Sequence, residues 1–385
     1  MKKLLLGLVG LSCCLVAGES ADARRMSKPA CDSGALPLFQ RGDDSIETMP
    51  MSGKYPAAYN LAANVDLDRG WDVYGDISYL YWFIYQEGLD LAVTAEYGMD
   101  ETFILESGGY PVFQDANYTS GFKVGLGGNL NVDDWVLDAE YTYLRQSTTT
   151  SKTAPASDAV GYPGVFSFTG WFFDTYYSED LVAPSFKSKW KFGLDWIDLT
   201  IKRPFYSGLK LTATPSFGLR ASWIRQNLDI TSYNGIYADA DEGTDVSKNS
   251  SHSWGIGPRG VVDLHWLIGK GFRFQGILGG SLLFTQYTRV SHLSPSYDEI
   301  VGGAPFVMKN YNCIRPMAEA NLGFGWGRYF SQNRYRCDLS ATYDFNFLWG
   351  QNMLKYMVNL GGFGQGASPY DLYMHGLTVK FRLDF

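Results

Sequence analysis

Hydrophobic and polar side chains alternate along several stretches of the chain. In residues 209–223 every odd-numbered position is apolar and every even-numbered position is polar or glycine, and a similar alternation returns in residues 335–349 and 372–385. A period of two is typical of a β-strand with one apolar and one polar face, whereas helical spacing would scatter both sets. The pattern therefore predicts strands that separate an apolar environment from an aqueous one.

Ten strands are predicted in this way. They are residues 73–85, 122–130, 135–145, 188–203, 209–225, 253–266, 272–289, 314–329, 335–349 and 372–385. In the fourth strand the apolar parity changes between Trp196 and Ile197, which predicts a β-bulge at that point. Residues 89–97 offer an alternative, because pairing them with the preceding strand would give twelve strands.

The connections between these strands alternate in length. Four tight turns, at residues 131–134, 204–208, 267–271 and 330–334, alternate with five long segments, at residues 86–121, 146–187, 226–252, 290–313 and 350–371. A transmembrane barrel has short periplasmic turns and long outer loops, whereas a soluble sandwich gives no reason for every second connection to be long. The sequence therefore predicts an all-β fold, a transmembrane up-and-down antiparallel β-barrel of about ten strands.

The first 23 residues have the pattern of a signal peptide. Two lysines precede an apolar stretch at residues 4–16, and a small-x-small sequence follows at residues 21–23. The apolar stretch is too short to span a membrane as a helix. We therefore expect a signal peptide at residues 1–23 and export through the Sec pathway. A lipoprotein acylated near Cys14 is an alternative.

The two ends of the mature chain differ in character. Residues 24–70 are polar and contain proline and methionine, and we expect them to form a periplasmic lead-in or a plug ahead of a barrel at residues 71–385. The last predicted strand closes on Phe385, with its ring on the apolar face. A terminal aromatic residue is the usual assembly signal of bacterial outer-membrane barrels. Phe385 therefore predicts that location and recognition by the barrel-assembly machinery.

Composition and charge exclude several classes of protein. The chain has 385 residues, of which 16% are aromatic, and a net charge of −8. The aromatic content argues against disorder, and the acidic balance argues against nucleic acid as a partner. Cys31, Cys313 and Cys337 follow the predicted signal peptide and lack the spacing of a metal site, so we predict neither a metal nor a cofactor. Their odd number leaves at least one thiol free or paired with another chain.

Charged side chains of both signs occupy the polar faces of the predicted strands, in numbers too large for a dry core. These residues are Asp76, Lys123, Asp138, Glu140, Lys191, Asp195, Asp198, Lys202, Lys210, Arg220, Arg259, Asp263, Arg273, Arg315, Glu319, Arg336, Asp338, Asp344, Lys380 and Arg382. In one interpretation they line a water-filled pore and select small solutes by size and charge. In the other they pair across a narrow lumen and fill it, because barrels of about eight strands are filled by their own side chains.

The sequence does not favour an enzyme. His252, His265, His292 and His375 lie far apart, and no nucleophile is placed beside a base by its spacing. The long segment 146–187 instead carries the rings of Trp171, Phe172, Phe173, Tyr176 and Tyr177. These rings fold into the barrel mouth or bind a host surface in one interpretation, and pack the loop on the barrel rim in the other.

Short sequence blocks spread over most of the mature chain resemble the Legionella-type major outer membrane protein family, which also occurs in chlamydia-related bacteria. They include residues 76–82, 121–125, 215–220, 255–259 and 315–316, with 376–378 and 384–385 at the end. The resemblance implies a pore-forming protein of the bacterial outer membrane. We therefore expect diffusion of small hydrophilic solutes or ions, with a closed structural or adhesive barrel as the alternative. Expected partners are outer-membrane lipid and lipopolysaccharide, small solutes and further copies of the chain.

Overall fold

The computed structural model describes eleven segments of the chain. They are residues 60–67, 72–97, 103–104, 109–130, 133–154, 164–168, 170–172, 182–237, 240–293, 306–363 and 368–385. The predicted signal peptide, most of the predicted lead-in and Cys31 lie outside these segments.

The described segments contain seventeen strands and one helix. In chain order these are β1 (Val73–Gln86), β2 (Asp90–Tyr97), β3 (Phe103–Ile104), β4 (Pro111–Phe113), β5 (Tyr118–Asn129), β6 (Val136–Thr153), β7 (Gly164–Ser167), β8 (Val182–Ala183), β9 (Ser185–Lys202), β10 (Phe205–Tyr206), β11 (Leu211–Tyr237), β12 (Ala240–Gly269), β13 (Phe272–Leu293), β14 (Phe306–Met308), β15 (Tyr311–Phe330), β16 (Tyr335–Asn352), α1 (Leu354–Phe363) and β17 (Tyr370–Asp384). Within this part of the chain, no helix is long and apolar enough to cross a membrane.

Ten of the strands close into an antiparallel barrel, as the sequence predicts. Around the wall the order is β1, β5, β6, β9, β11, β12, β13, β15, β16 and β17, and β17 pairs with β1 from Tyr74↔Asp384 to Gln86↔Leu372. The N–H of Phe385 donates to the carbonyl of Val73 at 2.9 Å, so the terminal residue also joins the closing seam. The role of Phe385 as an assembly signal stays a prediction.

The predicted bulge in the fourth wall strand is wrong. The registers of β9 with β6 and with β11 run without a shift from Ser185 to Lys202. Even-numbered residues of β9 point inward along its whole length, and only their chemistry changes, from Asp198 to Trp196 and Trp190. A true bulge lies in β13 instead, where Thr288 has no partner between the pairs His252↔Arg289 and Ser253↔Tyr287.

One expected connection differs from the structure, and the twelve-strand alternative is wrong. Residues 226–252 are not a loop, because β11 and β12 extend through them as one long hairpin. Residues 89–97 contribute β2, which pairs with β3, β4 and β7 outside the barrel wall, so the wall has ten strands and not twelve. The long hairpin arises because β11 and β12 continue beyond the membrane, where the apolar outward face that marks a spanning strand is absent.

The outward face changes character along the barrel axis. Near the short turns it is apolar, with Phe217 61% and Leu219 51% exposed, as a lipid-facing surface requires. Toward the long loops the pattern inverts, because Lys187 and Lys189 point outward while Phe186 and Trp190 are buried inside. The strands therefore cross the membrane with a polar interior and continue above it as a water-exposed cylinder with an apolar core.

That core fills the outer half of the barrel. We call it the apolar plug, and it comprises Leu80, Trp82, Ile84, Leu89, Leu91, Ala92, Leu144, Phe166, Phe168, Trp171, Phe172, Ala183, Phe186, Trp190, Phe192, Leu194, Trp196, Ile224, Leu228, Ile230, Met317, Leu348, Leu354, Val358, Leu372 and Met374. Inward residues of the wall strands supply one part of it. The β2 segment, the segment around β7 and helix α1 supply the other part.

Residues 60–67, the described part of the predicted lead-in, lie at the turn end of the barrel. Ala62 pairs with Phe205 of β10, and the Asn64 side-chain amide donates to the carbonyl of Asp134 at 3.0 Å. Leu67 is buried there. These contacts tie the segment to two of the short turns and place it beside the inner opening of the barrel.

Candidate functional site

A polar cavity of about 330 Å³ occupies the turn half of the barrel, below the apolar plug. Seven basic and nine acidic side chains line it, together with serine and threonine hydroxyls. Residues 63–67 border its turn end, and the inward faces of all ten wall strands contribute to its lining or to the charged groups around it. The interior of the membrane-spanning part is therefore charged and close to electrically balanced.

Four charged side chains form a quartet across the lumen, which comprises Asp198, Arg220, Arg259 and Glu319. Arg220 is 2% exposed, and its Nε and Nη2 donate to the two carboxylate oxygens of Asp198 at 2.6 Å each. Its Nη2 also donates to Glu319 at 3.2 Å. Arg259 completes the quartet through a bidentate pair with Glu319, at 2.6 and 2.9 Å. Planar guanidinium groups suit such two-point pairs, and here they connect β9, β11, β12 and β15.

Two further groups of ion pairs lie nearer the turns. Lys380 bridges Asp76 at 3.2 Å and Glu140 at 3.3 Å, which links β17 to β1 and β6. Arg273 binds Asp338 through two hydrogen bonds, one of 2.6 Å, and thereby links β13 to β16. The Lys380–Glu140 and Arg273–Asp338 pairs join strands that are not neighbours in the wall, whereas the Lys380–Asp76 pair joins the neighbours β17 and β1. The charges therefore brace the barrel from within as well as lining the cavity.

Two tryptophans of the apolar plug, Trp82 and Trp196, lie where the plug meets the cavity. Trp82 and Trp196 are fully buried, with ring centroids 6.5 Å apart. On the cavity side, Lys123 Nζ lies 5.3 Å from the Trp82 ring and Arg220 Cζ lies 4.7 Å from the Trp196 ring. The indole N–H groups are satisfied, because Trp82 donates to Thr378 at 3.1 Å and Trp196 donates to Ser222. The two rings therefore mark the end of the charged, polar cavity.

Polar contacts hold the loop segments in the outer mouth. The indole N–H of Trp171 donates to the carbonyl of Asp90 at 2.6 Å, and Lys355 of α1 pairs with the Asp90 carboxylate at 2.8 Å. Lys355 Nζ also lies 4.7 Å from the centroid of the Trp171 ring. A single cluster therefore joins β2, the segment after β7 and α1 above the wall.

Most of the charged residues predicted from the sequence point into the barrel. Those that border the cavity are Lys123, Asp138, Glu140, Asp198, Lys202, Arg259, Asp263, Arg273, Glu319, Arg336, Asp338, Asp344, Lys380 and Arg382. Arg220 lies in the quartet beside them. Arg315 also points inward but lies higher, beside the plug, where its Nε donates to the Tyr287 hydroxyl at 3.3 Å. That these residues line a conducting path stays a prediction.

Three predicted lining residues do not face the lumen. Lys191 and Asp195 lie on the outer surface of β9, because the inward parity of that strand is even throughout. Asp195 binds Arg145 of β6 at 2.6 Å on the outside of the wall. Lys210 precedes β11 and is exposed in a short turn. The errors at Lys191 and Asp195 have the same cause as the wrong bulge prediction. On this part of β9 the polar side chains face outward, whereas the prediction places every polar face inside the barrel.

The sequence interpretation missed the residues that close the lumen. Trp82 lies in the run Leu80-Tyr-Trp-Phe-Ile84, which is apolar on both faces. A run of that kind is the signal of a strand buried on both sides, and it was available in the sequence. Among the loop rings, Trp171 and Phe172 are fully buried in the plug, in agreement with folding into the mouth. Phe173, Tyr176 and Tyr177 lie outside the described residues.

Comparison with solved structures recovers other outer-membrane barrels at low similarity. The protease OmpT of Escherichia coli shares 12% identity, over 81% of this chain and 96% of that chain, with a TM-score of 0.35. A FadL homologue of Pseudomonas aeruginosa shares 8% identity over 85% and 92% of the two chains, with a TM-score of 0.24. The deltaS2S3 mutant of the monoaromatic hydrocarbon channel TodX shares 8% identity over 82% of this chain and 91% of that chain, with a TM-score of 0.23. None of these likenesses bears on the activity of this chain.

The family assignment rests on sequence. No curated protein matches the chain. The model of the family described as the Legionella pneumophila major outer membrane protein precursor matches residues 52–385, which include the whole barrel wall. The match agrees with the ten-stranded antiparallel barrel and with its apolar outer belt. The chain therefore belongs to the Legionella major outer membrane protein family and is an outer-membrane β-barrel.

Proposed function

We propose that this protein is a pore-forming protein of the outer membrane, through which small hydrophilic solutes or ions diffuse when the apolar plug is displaced. The observation that carries the proposal is the charged cavity in the membrane-spanning half. A lumen lined by side chains of both signs sets up a transverse field that admits small polar solutes and rejects apolar ones. Because seven basic and nine acidic side chains line the cavity, we expect the pore to discriminate only weakly between cations and anions.

The structure represents the closed state in this proposal. Between the cavity and the outer mouth lie Trp82, Trp196 and the buried loop rings, and an apolar constriction of that kind excludes water and ions. Opening requires the β2 segment, the segment after β7 and α1 to move outward together, because Asp90, Trp171 and Lys355 join them. The strand pairing of the wall does not need to change, since the ten wall strands close the ring without these segments.

A closed structural or adhesive barrel without conductance is the second candidate. The apolar plug favours it, because its residues are almost completely buried and continuous across the lumen. An enzyme is not proposed. Three of the four histidines have different surroundings: His265 pairs with Asp263, His292 with Asn249, and His375 stacks against Tyr343 on the lipid-facing side.

Planar-bilayer recording separates the two candidates. We expect the purified, folded barrel to give discrete conductance steps, with long closed periods that reflect the plug. A folded wild-type barrel that stays silent in bilayers, and that also fails to let sugars of graded size swell liposomes, would favour the closed barrel.

Ion selectivity provides a residue-level prediction. Arg259→Gln removes one positive charge from the cavity, while Glu319 keeps its second partner, Arg220, at 3.2 Å. We expect the zero-current potential across a salt gradient to shift toward cation selectivity, because the remaining fixed charge is more negative. The matched control is Lys210→Gln, a cation in an exposed turn, which is expected to leave the potential unchanged. Equal shifts in the two variants would mean that Arg259 does not face the conducting path.

A further inference from the structure

Two adjacent rows of outward side chains cross the barrel wall where the apolar belt ends. The lower row, which we call the aromatic row, is set by the registers Tyr143↔Asp195, Asp195↔Trp223 and Trp223↔Trp254. On β12 a second outward tryptophan, Trp266, lies twelve residues nearer the turns. At about 3.4 Å per residue and a tilt of about 40°, the two levels are about 31 Å apart, which suits the two interfaces of a bilayer.

The row directly above is basic, and we call it the basic row. The registers Arg145↔Gly193, Gly193↔Arg225, Arg225↔His252 and His252↔Arg289 place these five residues side by side on β6, β9, β11, β12 and β13. Higher on the same outward face are Lys189, Lys191 and Lys248. At this level, directly above the aromatic row, the surface of the barrel meets the lipid headgroups of the outer leaflet.

The cations of this surface are poorly neutralised by the protein. Arg145 is matched by Asp195 at 2.6 Å, but within the described residues neither Arg225 nor Arg289 forms an ion pair, and both are exposed. Among the outward side chains that the structure describes above the basic row on β9, β11, β12 and β13, Asp229 is the one carboxylate, and it lies opposite both Lys189 and Lys248. The excess of positive charge therefore has no counterpart in the described wall and calls for an external anion.

The geometry around His252 suits one phosphate group. Neighbouring strands are about 4.8 Å apart, so Arg225 and Arg289 flank His252 at about 10 Å from each other, and their long side chains reach a common anion between them. The Nε2 atom of His252 is buried and has no hydrogen-bond partner among the described residues. A phosphate oxygen seated between the two exposed guanidinium groups would receive hydrogen bonds from both.

We propose that the outward face of β9, β11, β12 and β13 at the basic row binds a phosphate-bearing lipid of the outer leaflet. The headgroup phosphate lies between Arg225 and Arg289 over His252, with Lys189, Lys191 and Lys248 attracting further anionic groups. The acyl chains lie against Trp223, Trp254 and the apolar belt below. The proposal names the residues that would bind the expected lipopolysaccharide partner, and it does not depend on whether the barrel conducts.

Lipid titration of the folded barrel in detergent, followed by native mass spectrometry, tests the site. The probe is bisphosphorylated lipid A, and the variant is Arg225→Gln with Arg289→Gln. Each surface cation raises the affinity for an anionic lipid by about fivefold, so loss of both is expected to weaken binding by about tenfold or more. The matched control, Lys210→Gln with Arg334→Gln, removes two exposed cations from the short turns and is expected to bind like the wild type. Retained secondary structure by circular dichroism verifies that each variant is folded.

Further arms identify the source of the anion. Dephosphorylated lipid A is expected to bind the wild type no better than bisphosphorylated lipid A binds the double variant. Equal binding by the double variant and the wild type would overturn the site. Competition by inorganic phosphate at the same concentration as lipid A would overturn the lipid assignment, and tighter binding of a soluble sulfated polysaccharide would reassign the surface to a polyanion outside the membrane.

Discussion

Arg220→Met is expected to lower the free energy of unfolding by about 4 kcal/mol. The substitution leaves Asp198 buried, with Arg259 Nε 3.9 Å away as its remaining basic neighbour in the quartet. Removing one partner of a buried ion pair costs about 3–5 kcal/mol, because the other charge stays desolvated and unpaired. Urea unfolding of the barrel in detergent, followed by tryptophan fluorescence, measures the change.

The double variant Arg220→Met with Asp198→Asn is the matched control for that prediction. It removes both charges of the tightest pair and leaves the bidentate pair of Arg259 and Glu319 in place. We expect it to recover most of the lost stability, because no charge is then buried alone. If Arg220→Met alone unfolded within about 1 kcal/mol of the wild type, the lumen around Asp198 would be wetter than the structure indicates.

Replacing both Trp82 and Trp196 with alanine is expected to increase channel opening in planar bilayers by about tenfold or more. These two rings form the boundary between the charged cavity and the apolar plug. Truncating a buried tryptophan removes about 3–5 kcal/mol of packing, and a shift of only about 1.4 kcal/mol toward an open state changes its population tenfold. Single-channel recording gives the open probability directly.

Trp223→Ala serves as the control for this experiment. Trp223 is 37% exposed on the lipid-facing side, so its truncation removes the same kind of ring without touching the lumen. We expect its open probability to match that of the wild type. A folded Trp82→Ala/Trp196→Ala barrel that stays silent would count against the pore and in favour of the closed structural barrel.

Loss of the Lys355–Asp90 ion pair is also expected to raise the open probability of the channel, but by less than the loss of the two tryptophans. Lys355→Met removes the cation that contacts both Asp90 and the Trp171 ring, and it keeps an apolar side chain on α1. We expect a smaller rise in open probability, because the apolar contacts of the plug remain. The same recordings, with Lys270→Met in a short turn as control, measure the difference.

The sequence by itself determined the ten wall strands, their order and the closure of the wall. It did so because lipid outside and water inside impose opposite polarities on alternate residues, and β17 shows this pattern almost without interruption. It also identified most of the charged interior, since Lys380, Glu140 and their neighbours lie on strands that remain within the membrane.

Only the tertiary structure decided how far the strands extend and what closes them. Above the membrane the outside of the barrel faces water and the inside is apolar, which is the reverse of the membrane-spanning part. Lys191 therefore points outward and Trp190 inward on the same strand that buries Asp198 below. The alternation of apolar and polar residues cannot show where this reversal occurs, because it shows that the two faces of a strand differ and not which face is inside the barrel. The plug, the ion-pair partners of Arg220 and the basic row all depend on contacts between strands distant in sequence, which the register of the closed wall fixes.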